Sequence, residues 1–164
     1  MQAIVYTSNT GHTAAYAEIL GRQTGLPVWE LSKALKELPK GTPIVYMGWL
    51  FASRIKGYPQ AAKRFSIRAV CGVGLCDTGA LLSEVRKAIS LPEGTPLFTL
   101  QGGMDHSKLQ GVNKFMISML LKMLEKNKQP TEDDKRMLEL VKYGGHFVSA
   151  ENTAAFMQWY ADHR

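Results

Sequence analysis

Cysteine is scarce in this chain, and its scarcity removes whole classes of chemistry. Cys71 and Cys76 are the only two in 164 residues. On one extended segment they would stand roughly 16 Å apart, whereas a disulfide holds its Cα atoms within about 7 Å. Both are therefore expected as free thiols in a reducing compartment. Long apolar runs are missing too. The opening Met1-Gln2-Ala3-Ile4-Val5-Tyr6 has no basic residue, and its apolar character breaks at Thr7, which predicts neither a leader nor a membrane span and a cytoplasmic location. No carboxylate stands at metal-ligand spacing from His106, His146 or His163, so no metal centre is expected. There is no G-x-S-x-G elbow, no Cys-His pairing, no zinc finger and no basic zipper, and nucleic acid is not expected as a partner. With no repeat, low-complexity tract or Ser/Gly linker, residues 1–164 read as one domain.

Acidic residues are also in deficit. Fourteen Asp and Glu face twenty Lys and Arg, a formal charge of +6, which favours anionic partners without choosing among them. Apolar residues make up 45% of the chain, enough for a full core.

The patterning is an alternation. Short β-rich apolar runs at Gln2–Thr7, Leu26–Leu31, Pro43–Gly48, Ile67–Val73 and Pro96–Leu100 predict five strands. Between and after them, helical spacing appears at Ala14–Gln23, Lys33–Leu38, Gln60–Phe65, Ala80–Ile89 and Asn152–Asp162. Strand and helix repeated five times predict a parallel sheet with helices on both faces, because parallel strands need crossover connections. Residues 103–150 break the repeat and read as a helical insertion after strand five. In its first half, Val112–Lys126, nine of fifteen residues are apolar, with Lys114, Ser118, Lys122 and Glu125 on a narrow polar stripe. Thr131 is the expected cap of a second helix through Lys142, ended by Gly144-Gly145.

The loop after the first strand carries the strongest chemical signal. Ser8-Asn9-Thr10-Gly11-His12-Thr13 joins a strand to a helix, so it offers backbone amides and a positive helix end to an anion. Ser8, Thr10 and Thr13 add hydroxyls, and Gly11 lets the backbone turn closely around phosphoryl oxygens. The alternative for these residues is simple capping of the helix. Neither G-x-x-x-x-G-K-[ST] nor G-x-G-x-x-G is present, which leaves a mononucleotide as the phosphate bearer. For His12 the readings are a place near the phosphate or, as the simpler expectation, an imidazole facing solvent.

Ser8 to Thr13 resembles the [TS]-x-T-G-x-T loop with which flavodoxins hold FMN phosphate. The resemblance implies a doubly wound α/β fold of strand order 2-1-3-4-5, with FMN as cofactor. It also implies two more flavin loops. One runs from Gly48 to Tyr58 and offers Gly48, Trp49, Leu50, Phe51, Ala52 and Tyr58; the other runs from Gly72 to Gly79 and offers Gly74, Cys76 and Asp77. Aromatic faces suit flavin stacking, while core packing is the competing reading for Trp49 and Phe51 and a helix-entry anchor beside Pro59 for Tyr58. The third loop departs from the family's G-x-G-D form, since Leu75 follows Gly74 and the aspartate falls at Asp77.

Lys114 to Met123, its charged continuation and the final helix are similar to the carboxyl end of menaquinone-dependent protoporphyrinogen dehydrogenases. That likeness implies a porphyrinogen donor and a quinone acceptor at a membrane surface, although the long basic insertion of those enzymes between strands four and five is absent. An FMN oxidoreductase is expected over a simple electron carrier, because carrier flavodoxins are commonly acidic. The competing class is a flavin-free module that docks a partner through the insertion. For residues 112–128 two readings stay open: a helix that covers the sheet with most of its surface buried, or a face meeting a partner or anionic lipid through Lys114, Lys122, Lys126 and Lys128.

Overall fold

The computed structural model describes residues 1–163; Arg164 lies outside the described residues. The chain runs β1 (Ala3–Thr7), α1 (His12–Thr24), β2 (Val28–Glu30), α2 (Leu31–Glu37), β3 (Pro43–Phe51), β4 (Arg54–Ile55), α3 (Tyr58–Arg64), β5 (Ser66–Gly74), α4 (Leu82–Ala88) and β6 (Leu97–Gln101). After β6 come β7 (Gly103–Met104), α5 (Gly111–Glu125), α6 (Glu132–Tyr143), β8 (Gly145–His146) and α7 (Ala154–His163). Five parallel strands lie in the order β2-β1-β3-β5-β6. Counted without β4, this is the order 2-1-3-4-5 expected from the sequence.

Period-two alternation sorts the strand side chains onto two faces. Ala3, Val5, Ile44, Tyr46 and Val70 join Leu31, Ala34, Tyr58, Ala61 and Val85 on one face, so α2, α3 and α4 pack there. Ile4, Val45, Met47, Ala69 and Cys71 join Tyr16, Ala17, Leu20 and Phe156 on the other, under α1 and α7. Burying each Val, Leu or Ile contributes about 1.5–3 kcal/mol, and a sheet covered on both faces explains why the central strands read as continuous apolar runs.

Three elements differ from the sequence reading. Leu31 opens α2 and does not end a strand, because Leu31 and Ala34 share one helical face and are both buried. The helix expected from Ala80 begins at Leu82, since Thr99 Oγ1 donates to the Ala80 carbonyl at 2.7 Å and the Gly79 amide donates to the Thr99 carbonyl at 2.9 Å, tying those residues to β6. The third strand continues through Gly48 to Phe51, where Leu50 pairs with Ile55 and Phe51 with Arg54 in a hairpin. Ala52 and Ser53 turn that hairpin with φ of 48° and 59°, the two positive values of a two-residue turn matched to strand twist.

The insertion stands on a two-stranded base, β7 against β8. Its ends are clipped together from below: Tyr16 Oη donates to the Gln101 carbonyl at 2.5 Å, and Asn152 Nδ2 donates to Tyr16 Oη at 2.7 Å and to the Phe147 carbonyl at 2.9 Å. Helix α6 opens at Thr131, the expected cap, in a capping box with Asp134.

Candidate functional site

In an open α/β sheet the crevice forms where the chain leaves the first strand in opposite directions. Here that point is the carboxyl edge between β1 and β3, which are adjacent while β2 lies on the far side of β1. A cleft of about 290 Å³ opens there, at the low end for small-molecule sites. It is lined from all three loops, including Ser8, Thr10, Trp49, Phe51, Cys76 and Asp77.

The first loop is stiffened by its own side chains. Ser8 Oγ accepts from the amides of Gly11 at 3.2 Å and Ala14 at 3.4 Å, and Thr10 Oγ1 lies 2.9 Å from His12 Nδ1. Two hydroxyls therefore hold loop shape, and Thr13 is buried at the cleft floor. Gly11 caps α1 with φ 97° and no side-chain hydrogen bond, and the first turn of the helix carries no acid. The leading amides and the positive helix end thus point into the loop without a carboxylate to neutralise them.

His12 is buried, which corrects the expectation of a solvent-facing ring. It sits 5.1 Å from the ring of His146 on β8. Burial first, then the neighbouring His146 and Lys108, hold its pKa below the ordinary value. Its tie to Thr10 and its contact with His146 join the first loop to the base of the insertion.

The second loop is the β3–β4 hairpin. Trp49 and Phe51 share one face of the strand, half-buried, with ring centroids 6.4 Å apart, and Lys56 Nζ lies over both rings at 5.4 and 5.9 Å. Leu50 points the other way and seats on Gly72 and Gly74, about 3.1–3.2 Å from where a Cβ on either would stand. Ala52 completes this wall at the hairpin tip. Two expected residues lie elsewhere. Gly48 is within β3, paired with Thr7 and Gly72, and Tyr58 is buried against Tyr46 at 6.4 Å in the core beneath α3.

The third loop, beyond Gly74, places Cys76 half-buried at the cleft wall. Burial raises its thiol pKa, helped by the Asp77 and Asp133 charges and opposed by Arg136. Asp77, displaced from the flavodoxin pattern, accepts from both terminal nitrogens of Arg136 on α6 at 2.8 and 2.9 Å. A bidentate pair of this kind fixes orientation as well as distance.

The insertion supplies what sequence reasoning missed. Asn113 Nδ2 of α5 donates to Asn9 Oδ1 at 3.0 Å, and Lys108 Nζ stands 3.8 Å from the position of a Cβ on Gly11. With Arg136 at the third loop, the two helices are fastened at both ends of the cleft, and Ile117, Leu120 and Met137 roof it between. Asn113 was a readable signal, since it is a polar residue on the otherwise apolar face that also bears Ile117, Leu120 and Leu124.

The deciding observation is the strand order together with a cleft at its switch point. The fold is flavodoxin-like. Among solved structures the chain is similar to one described as "Structure of a flavodoxin from the domain Archaea", at 17% identity over 85% of this chain and 94% of that one, with a TM-score of 0.36. A scan of protein-family models and a search of curated proteins each return no match. The narrower likeness to protoporphyrinogen dehydrogenases gains no support from these comparisons.

Proposed function

We propose that this chain binds FMN in the roofed cleft and works as an FMN-dependent oxidoreductase. The observation that carries the reading is the convergence, in one cleft, of an acid-free helix N-terminus behind Ser8–Gly11 and an apolar slot walled by aromatic and aliphatic side chains. A phosphate suits the first and a planar ring suits the second. The residues present fit such a group: the loop amides and α1 would hold its phosphate, with Lys108 beside them, and Trp49, Phe51, Leu50 and Cys76 would flank its ring. FMN, when bound, supplies the electron chemistry, and the surrounding stacking, hydrogen bonds and charge set its potential.

The chain's own contribution is enclosure and positioning. Asn113 and Arg136 hold the insertion over the cleft, and the side chains of Ile117, Leu120 and Met137 give it an apolar roof. No side chain is assigned a proton-transfer role. Purified protein titrated with FMN is expected to shift the flavin's visible spectrum and quench its fluorescence. The Thr10→Ala/Thr13→Ala variant is expected to bind less tightly. Absence of binding by either protein would overturn the assignment in favour of a flavin-free docking module. Porphyrinogens and quinones are the first donor and acceptor classes to assay once binding is measured.

A further inference from the structure

Helix α5 carries two apolar faces, and the cleft uses only one. Met116, Ile117, Leu120, Leu121 and Leu124 are half-buried towards the cleft and α6, but no residue of the helix is fully buried. The expectation of a helix buried against the sheet is thereby corrected. On the outer side Val112 is 72% exposed, Phe115 65%, Met119 57% and Met123 65%. Their spacing of three and four residues makes one continuous stripe along the helix.

Charge narrows what meets this stripe. Lys122 and Lys126 are exposed along one border of it, Lys114 is exposed further round on the polar face, and Glu125 is the only acid on the helix. Of the three acids in the first turn of α6, two are engaged locally: Asp134 accepts from the Thr131 amide and from Asn127, and Glu132 pairs with Lys135, while Asp133 is exposed. Protein interfaces are depleted in lysine, which disfavours a protein partner on this border. Exposed Phe and Met bordered by lysines match a helix lying in the plane of a negatively charged bilayer surface. Among the described residues no helix is long and apolar enough to cross a membrane, so contact would be with the surface.

We infer that the outer face of α5 docks the protein on anionic lipid, with Phe115, Met119 and Met123 entering the interface and Lys122 and Lys126 meeting the headgroups. The test is cosedimentation of the full chain with vesicles of phosphatidylcholine alone or mixed with phosphatidylglycerol, at low and high salt. The protein is expected to pellet with the mixed vesicles at low salt and to stay in solution with the neutral ones. Lys122→Glu/Lys126→Glu is expected to weaken partitioning at least about 25-fold, taking roughly a factor of five for each lysine lost near the surface. Phe115→Ser/Met119→Ser should abolish it. Both pairs are exposed, so unchanged circular dichroism would show that the fold persists. Failure of the unaltered protein to bind mixed vesicles would overturn the inference, as would equal binding by both variants. So would a dimer in solution that Phe115→Ser/Met119→Ser converts to monomer. None of these readouts depends on flavin binding.

Discussion

Lys108 offers a direct measure of whether a phosphate occupies the first loop. Its ammonium stands 3.8 Å from the position of a Cβ on Gly11 and 3.4 Å from Asp105 Oδ2, with 61% of the side chain exposed. Two unit charges at 4 Å interact by about 1 kcal/mol in water and about 4 kcal/mol at the effective dielectric of a protein surface. Exposure and the competing Asp105 place Lys108 near the watery limit, so its net contribution to a bound phosphate is about 0.5–1 kcal/mol. Lys108→Ala should therefore raise the Kd for FMN about two- to fivefold. Lys108→Glu replaces attraction with repulsion and should raise it about five- to thirtyfold, less so at high salt. Riboflavin, which lacks the phosphate, is the control, and its Kd should not move. Fluorescence-quenching titrations with both flavins give all the constants. Equal weakening of FMN and riboflavin would mean that Lys108 acts by holding the insertion in place. Unchanged FMN affinity in Lys108→Glu would refute a phosphate in this loop.

Other residues give independent checks. Gly57 has φ 78°, and a Cβ there would collide with the Tyr46 hydroxyl and stand 2.5 Å from Thr7 Oγ1; Gly57→Ala should cost about 2–5 kcal/mol and lower Tm by about 5–15 °C, whereas a melt within a degree of the parent would contradict that packing. Iodoacetamide should modify Cys76 in the native protein, more slowly than a free thiol because its pKa is raised. Cys71, fully buried and also pushed up by burial, should react only after unfolding; equal native labelling of both, seen by mass spectrometry, would oppose this. Because the folded chain holds His12 below its ordinary 6.5, the unfolded chain takes up its proton first. Stability should thus fall as pH drops from about 6.5 through the folded value, with no His12 contribution above that range. Urea titrations at stepped pH should show a shallower fall for His12→Gln; an identical profile would remove His12 as the cause.

The parallel sheet was legible because its information is local. Period-two alternation, short apolar runs and punctuating loops specify strands, and alternation with helices leaves few topologies. Ser8–Thr13 was legible for the same reason, since strand, loop and helix N-terminus are contiguous. Thr131 was legible as a cap, and the structure adds Asp134 as its reciprocal partner three residues on. The hairpin at Ala52-Ser53 was not legible, because neither residue is the Gly or Asn that normally marks positive φ; the pairing of Leu50 with Ile55 and Phe51 with Arg54 sets the turn. Tyr58 looked like a site aromatic but packs on Tyr46, twelve positions earlier, across a sheet face that only folding assembles.

Taken alone, the sequence determined the alternating architecture, the loop between the first strand and helix, and the existence of an insertion with an apolar helix, since each depends on neighbours within a few residues. Tertiary structure decided where that insertion lies, which of its faces roofs the cleft, and that Asn9 meets Asn113 and Asp77 meets Arg136. Those contacts join residues 104 and 59 positions apart, and no local periodicity encodes a pairing made only when the chain closes on itself.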